Sequence, residues 1–162
     1  MEPTTRIWEI WRHVPLCIGL RTREEFKTAM GKMGCMIGMW GGLMIDSSAF
    51  AVADSQADVP LILVPQEELG FRHVSPLRAL TLGQGLGLRP CPFEAALQLR
   101  MRWLDQPLNQ IVIVITEPIS IGRGHNPHMF ELANDARGLA IRGTYDDLDV
   151  APEPSTSYVF TK

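Results

Sequence analysis

The segment Ile111-Val112-Ile113-Val114-Ile115 is apolar at every position and β-branched throughout. Successive side chains of a strand point to opposite faces, so this run presents no face to water. Such a strand belongs in the middle of a sheet with a layer on each side. N-terminal helices supply one layer. The other needs either a third layer from the same chain or a second copy of it, and a homodimer contact across that face meets the need as cheaply.

The rest of the chain reads around that strand. Thr22-Arg23-Glu24-Glu25 is a capping box, with Phe26, Ala29, Met30 and Met33 as the apolar face and Gly34 placed to end the helix. A helix over 23–33 follows, and a second short one over Met39 to Met44, which Gly41 and Gly42 weaken by about 1 kcal/mol each. Residues 7–14 carry a helical stripe that Pro15 limits to about two turns. Residues 49–53 and 60–64 read as strands. Ser75 and Pro76 are N-cap and N1 of another helix, and Phe93 to Leu97 form a turn. Leu99, Met101 and Trp103 alternate with Gln98, Arg100 and Arg102, the pattern of a strand with one wet face. Residues 129–133 and 139–144 form a hairpin closed at Gly138, and Tyr158 to Phe160 a last strand. The expected fold is α+β in a single domain, 1–162. Short N-terminal helices and strands (helix-rich 1–97) pack on a largely antiparallel C-terminal sheet (98–162).

Composition sets bounds on function. The chain has 162 residues, 46% hydrophobic and 20% charged, with a formal net charge of −3. Its pI is near 5.8. Broad binding to a phosphate backbone needs a basic domain, so nucleic acid is not an expected partner. The longest glycine-broken apolar stretch, Gly34 to Ile45, has 12 residues, too few for a membrane span. The first ten residues lack the basic and apolar regions of a signal peptide. Cys17, Cys35 and Cys91 are odd in number and widely spaced, which fits a reducing cytoplasm better than a disulfide framework.

Several landmarks occur in a familiar order: Glu68-Leu69-Gly70-Phe71, Leu88-Arg89-Pro90-Cys91-Pro92, Glu94, Gln98-Leu99-Arg100, Asp105-Gln106-Pro107 and Thr116-Glu117-Pro118-Ile119. This track resembles a set of small bacterial proteins of uncharacterised activity. The resemblance spans residues 7–142 in outline and is most specific over 91–119. It implies a shared fold and brings no catalytic residues. The glycine-rich Met39-Trp40-Gly41-Gly42 departs from the pattern, which is more polar there.

Candidate chemistry falls into six groups. His125, His128 and Glu131 offer two imidazoles and a carboxylate for a metal. Their H-x-x-H spacing across Pro127 is not the i, i+4 helix pair, so a polar loop is the plainer reading. Gly83-Gln84-Gly85-Leu86-Gly87 has the glycines of a phosphate cradle but lies at a helix end rather than between strand and helix. Cys91 is a candidate nucleophile and otherwise a small buried hydrophobe. Glu94 and Glu117 are candidates for acid–base work, with a solvent-edge position as the alternative for Glu117. Arg100 and Arg102 share one strand face with Arg142 further on, as a patch for an acidic partner or as solvated side chains. Met39 and Trp40, within the series Met30, Met33, Met36, Met39 and Met44, suggest an adaptable binding surface, with core filling as the alternative.

Together these point to a small cytoplasmic binding or assembly module without catalytic activity. It needs no cofactor or metal, and its partner is another protein or a second copy of the chain. The alternative is a small enzyme with a pocket near Cys91, Glu94 and Glu117. Convergence of those three side chains separates the two.

Overall fold

A computed structural model describes residues 6–70, 74–122, 127–144, 153 and 155–162. The described strands are β1 (Arg12–Leu16), β2 (Met36–Ile37), β3 (Ala57–Pro65), β4 (Ile111–Ile119), β5 (His128–Asp135), β6 (Gly138–Gly143) and β7 (Ser157–Thr161). The described helices are α1 (Arg23–Lys32), α2 (Met39–Asp46), α3 (Pro76–Gly85) and α4 (Phe93–Arg102). All seven strands join one sheet in the order β1-β3-β7-β4-β5-β6-β2. The class is α+β, and β4 lies at the centre.

The sheet is mixed rather than largely antiparallel. β7 runs parallel to β4, and β2 runs parallel to β6, while the other neighbours are antiparallel. All five residues of β7 are buried. A strand with no wet face finds its place beside β4, where layers already cover both sides.

Alternation along β4 divides the core in two. Val112 and Val114 meet Phe26 and Met30 of α1, Met44 and Ile45 of α2, and Ala95, Ala96 and Leu99 of α4. Ile113 and Ile115 face the other way, into Ile62, Val64, Tyr158, Phe160, Ala79 of α3 and Trp8. Each fully buried Val or Ile of this kind contributes about 1.5–3 kcal/mol. Both faces of β4 are thus covered from within the chain, and the need that suggested a second copy there is met by α3 and the Trp8 segment.

The helix punctuation follows the sequence closely. Thr22 Oγ1 accepts the Glu25 N–H at 3.2 Å. α1 ends at Gly34 (φ 75°), with Cys35 N–H donating to Met30 O and Gly34 N–H to Gly31 O. The same paired bonds end α3 at Gly87 (φ 82°): Leu88 N–H donates to Gly83 O and Gly87 N–H to Gln84 O. The glycines at 83–87 are therefore a helix terminus. Gly83 itself lies against the Phe160 ring, which a Cβ there would meet at 2.4 Å.

Three expectations are corrected. Residues 98–102 belong to α4, and the turn expected at 93–97 is the first part of the same helix. Residues 49–53 form no strand. The helical stripe expected over residues 7–14 is not a helix: its last three residues, 12–14, belong to the edge strand β1 (Arg12–Leu16).

Glycines also set how closely α2 sits on the sheet. A Cβ at Gly41 would lie 3.1 Å from both Arg142 Cα and Ile141 O, which are backbone atoms of β6. A Cβ at Gly42 would meet only Ile37 Cγ2, at 3.7 Å. Gly41→Ala is expected to push α2 off β6 and cost about 1–3 kcal/mol. Gly42→Ala is expected to be neutral or to stabilise by up to about 1 kcal/mol. Urea denaturation of the two variants checks the opposite signs.

Candidate functional site

The first turn of α2 stands over the middle of the β5–β6 hairpin. The turn Ala136-Arg137 pairs Asp135 with Gly138, and that register places Glu131 directly opposite Arg142. Arg142 Nε donates to Glu131 Oε1 at 2.9 Å, and Arg142 Nη2 donates to the same oxygen. Arg142 Nη1 lies 3.8 Å from Asp135 Oδ2. The Arg137 backbone N–H, bonded to Asp135, is the main cause holding the Asp135 carboxyl below the usual carboxylate range; Arg137 and Arg142 add to it.

Trp40 lies next to this pair. Its indole stacks on the His128 ring with centroids 5.5 Å apart and planes at 14°. His128 is buried, and its Nδ1 lies 2.5 Å from Thr144 O. A carbonyl only accepts, so Nδ1 carries the proton. Gly38, Met39, Trp40, Glu131, Arg142 and Gly143 enclose a cleft of about 410 Å³, within the range of small-molecule sites. Two of its walls depend on glycine. A Cβ at Gly38 would meet Arg142 Cγ at 3.2 Å, and one at Gly143 would meet Trp40 Cβ at 2.8 Å. α2 opens here at Gly38 with no side-chain cap.

The sequence candidates separate accordingly. Met39 and Trp40 share one cleft with Glu131, which had been considered for metal binding, and His128 backs the Trp40 wall. His125 lies outside the described residues. Among the described residues no group of three His, Cys, Asp or Glu side chains is placed to hold a metal ion. Arg100 and Arg102 do not share a strand face. Both lie on α4, where Arg100 is buried and bonded to Gln106, Trp103 O, Ala133 O and Ala140 O, while Arg102 is exposed and reaches Gln98 Oε1 at 3.4 Å.

Cys91, Glu94 and Glu117 do not converge. Cys91 is buried with Sγ 3.6 Å from Val159 O, and burial pushes its thiol pKa up. Glu94 is buried and its carboxylate is occupied: Oε1 accepts from Cys17 N–H at 2.9 Å and Gln98 Nε2 at 3.0 Å, and Oε2 from Ala53 N–H at 2.8 Å. Glu117 is exposed on β4. The shallow cavity beside Glu94 is lined by residues 51–54, Pro92 and Phe93, and neither Cys91 nor Glu117 borders it. Glu94 is a latch. It holds Cys17 in the left-handed region (φ 57°) and secures the strandless 49–53 segment.

Arg142 was legible in the sequence only as part of a basic face. Its role opposite Glu131 follows from the length of the turn, since a two-residue connection decides which residues of the hairpin meet. Gly38 and Gly143 carry no sequence signal of their own.

No family model matches the chain, and no curated protein or solved structure matches it either. Function has to be read from this chain's own geometry.

Glu94→Gln replaces an accepting oxygen with a donating NH2 opposite a buried N–H, and is expected to cost about 2 kcal/mol or more. Glu117→Gln is expected to stay within about 0.5 kcal/mol of the parent. Denaturation midpoints of the two variants distinguish a latch from a catalytic group. The thiols allow a second check. Burial raises the Cys91 and Cys35 pKa above the ordinary 9.0, and that of the Tyr158 hydroxyl above 10.0. In each case the folded state keeps a proton that the unfolded state releases. Stability contributed by these groups is full below pH 9 and is lost as pH rises beyond it. Thermal melts from pH 7 to 11 should fall from about pH 9, and a thiol reagent at pH 8 should leave all three cysteines unmodified until the chain unfolds.

Proposed function

We propose that this chain is a non-catalytic binding module of the cytoplasm whose ligand site is the cleft between the first turn of α2 and the β5–β6 hairpin. The observation that carries this reading is the cleft itself. Apolar walls from Met39 and Trp40 meet one charged pair, Glu131–Arg142, in about 410 Å³. Ligand sites are commonly apolar concavities with a few placed polar groups. The contrast with Cys91, Glu94 and Glu117 supports binding over catalysis: two of the three are buried and engaged in internal bonds, and the third stands apart at the surface. Buried, unpaired cysteines fit a reducing compartment.

A protein partner is the second reading, and exposed apolar side chains favour it. Met39 is 69% exposed; Met36, two residues before Gly38, and Leu43, one helical turn beyond Met39, are 36% and 45% exposed. Methionine adapts its shape at such surfaces.

Amide chemical-shift mapping of the full chain against a library of small fragments tests the proposal. Shifts are expected to gather at Gly38, Met39, Trp40, Glu131, Arg142 and Gly143. Hits that gather beside Glu94 instead, or a library without hits, would overturn it. Light scattering over a concentration series reads the second possibility, since self-association raises the mass above 18.1 kDa.

A further inference from the structure

The fold sorts the oxidisable sulfur of this chain by access. Cys17, Cys35 and Cys91 are all buried, and burial raises the Cys35 and Cys91 thiols above their ordinary pKa. Thiols meet oxidants as thiolates, so these three are poor targets while the chain is folded. A thioether has no proton to lose first, and only access limits it. Met30, Met44 and Met129 are fully buried, whereas Met33 and Met36 are exposed and Met39 more so, at 69%. The sulfur that an oxidant meets most readily on the folded molecule is therefore that of Met39.

Of the three exposed methionines, Met39 is the one that lines the cleft. It is the first residue of α2, and the N-cap before it, Gly38, makes no side-chain cap bond. The first N–H groups of a helix have no partner within it. A sulfoxide oxygen is a strong acceptor, so oxidation brings one to a helix start whose cap residue offers none. Arg142, a guanidinium donor, lines the same cleft. Oxidation of Met39 thus replaces an apolar wall with a polar one in a cleft that already holds donors.

We propose that Met39 is a sulfoxidation site through which a hydroperoxide regulates the cleft: oxidation of its thioether weakens binding of apolar ligands there, and reduction restores it. The sulfur lone pair attacks one hydroperoxide oxygen, the O–O bond breaks, and the departing oxygen takes up the proton. Sulfur gives up one electron pair to become the sulfoxide, and the hydroperoxide is reduced to water or an alcohol. This rests on the cleft being a binding site, and the test separates the two claims.

The test treats the full chain with graded hydrogen peroxide and follows each methionine by peptide mass mapping. Met39 is expected to oxidise about tenfold faster than Met30 of α1 or Met44 of α2, which the fold buries. Indole, a neutral apolar probe, then reads the cleft by amide-shift titration at Gly38, Trp40 and Gly143. Oxidation should weaken indole binding about tenfold, the scale of losing a buried apolar contact. Methionine sulfoxide reductases should restore it. In Met39→Leu the same peroxide treatment should leave indole affinity where it stood before treatment, although Met33 and Met36 are still open to oxidation. If that variant fails to fold, reversal by the reductases on the parent chain decides alone. Oxidation of Met39 no faster than that of Met30 overturns the proposal. So does an indole affinity that oxidation leaves unchanged, or one that falls equally in Met39→Leu, and each of these leaves the cleft standing. If indole does not bind the untreated chain, the regulation falls, while the fragment mapping still decides the cleft.

Discussion

α4 is buried along most of its length, and the charged side chains in its first and last turns tie it to the segments packed around it. Glu94 through Arg100 are all buried. Glu94, in the first turn, accepts the N–H groups of Cys17 and Ala53, and Arg100, in the last turn, donates to Gln106 and to the carbonyls of Trp103, Ala133 and Ala140. Acid at the start and base at the end also suit the helix dipole. Burial lowers the Arg100 pKa, yet guanidinium remains protonated in proteins. Its cost is offset by bonds to neutral oxygens rather than by a carboxylate. Gln106 passes the arrangement on, donating to Leu132 O at 3.1 Å and Gln110 O at 3.0 Å, while Asn134 Nδ2 donates to Gln106 O at 2.7 Å. The β5–β6 hairpin is thereby tied to α4, and with it the position of the Glu131–Arg142 pair.

The opposite side of that pair depends on glycine. α2 approaches β6 closely because Gly41 lets helix and strand backbones come together, and Gly143 leaves room for Trp40 and Met44. A tighter helix–strand contact would ordinarily close the space between them. Here Gly38 lets the Arg142 stem pass beneath the start of α2, so the guanidinium turns toward Glu131 and a concavity stays open above it. The helix is poor by propensity and suitable by shape. Its stability comes from packing against β5 and β6, in keeping with the general rule that tertiary contact outweighs propensity in short helices.

How much could be read from the chain alone varied with the kind of signal. The Thr22 cap, the Ser75-Pro76 start, the Gly34 and Gly87 stops and the all-apolar 111–115 strand each express a local rule, and each was legible. The alternation at 98–103 misled because it assumes that polar residues face water. Gln98 and Arg100 are buried and bonded internally, so α4 has no wet stripe to reveal its period. The parallel placement of β7 depends on a long return of the chain, for which no local pattern exists. The same holds for the site. Met39 and Trp40 stood out by composition and Glu131 by residue type, but their meeting is a tertiary fact created by hairpin register and by glycines whose role is to be absent.

The two-sided strand needs either a third layer from the same chain or a second copy, and the third layer is what covers it. α3 closes the far face through Gly83 over Phe160, and Trp8 completes it, donating from Nε1 to Leu86 O at 3.3 Å with Arg6 stacked on its ring. Among the exposed apolar side chains, Met33, Met36, Met39 and Leu43 fall close together in sequence, around α2 and β2. β2, the strand that edges the sheet there, has only two residues. So short an edge offers little backbone for another strand to pair with, a common defence against edge-to-edge association. At such an edge contact with another molecule would fall to side chains, and one of those side chains, Met39, lines the cleft that holds Glu131 and Arg142.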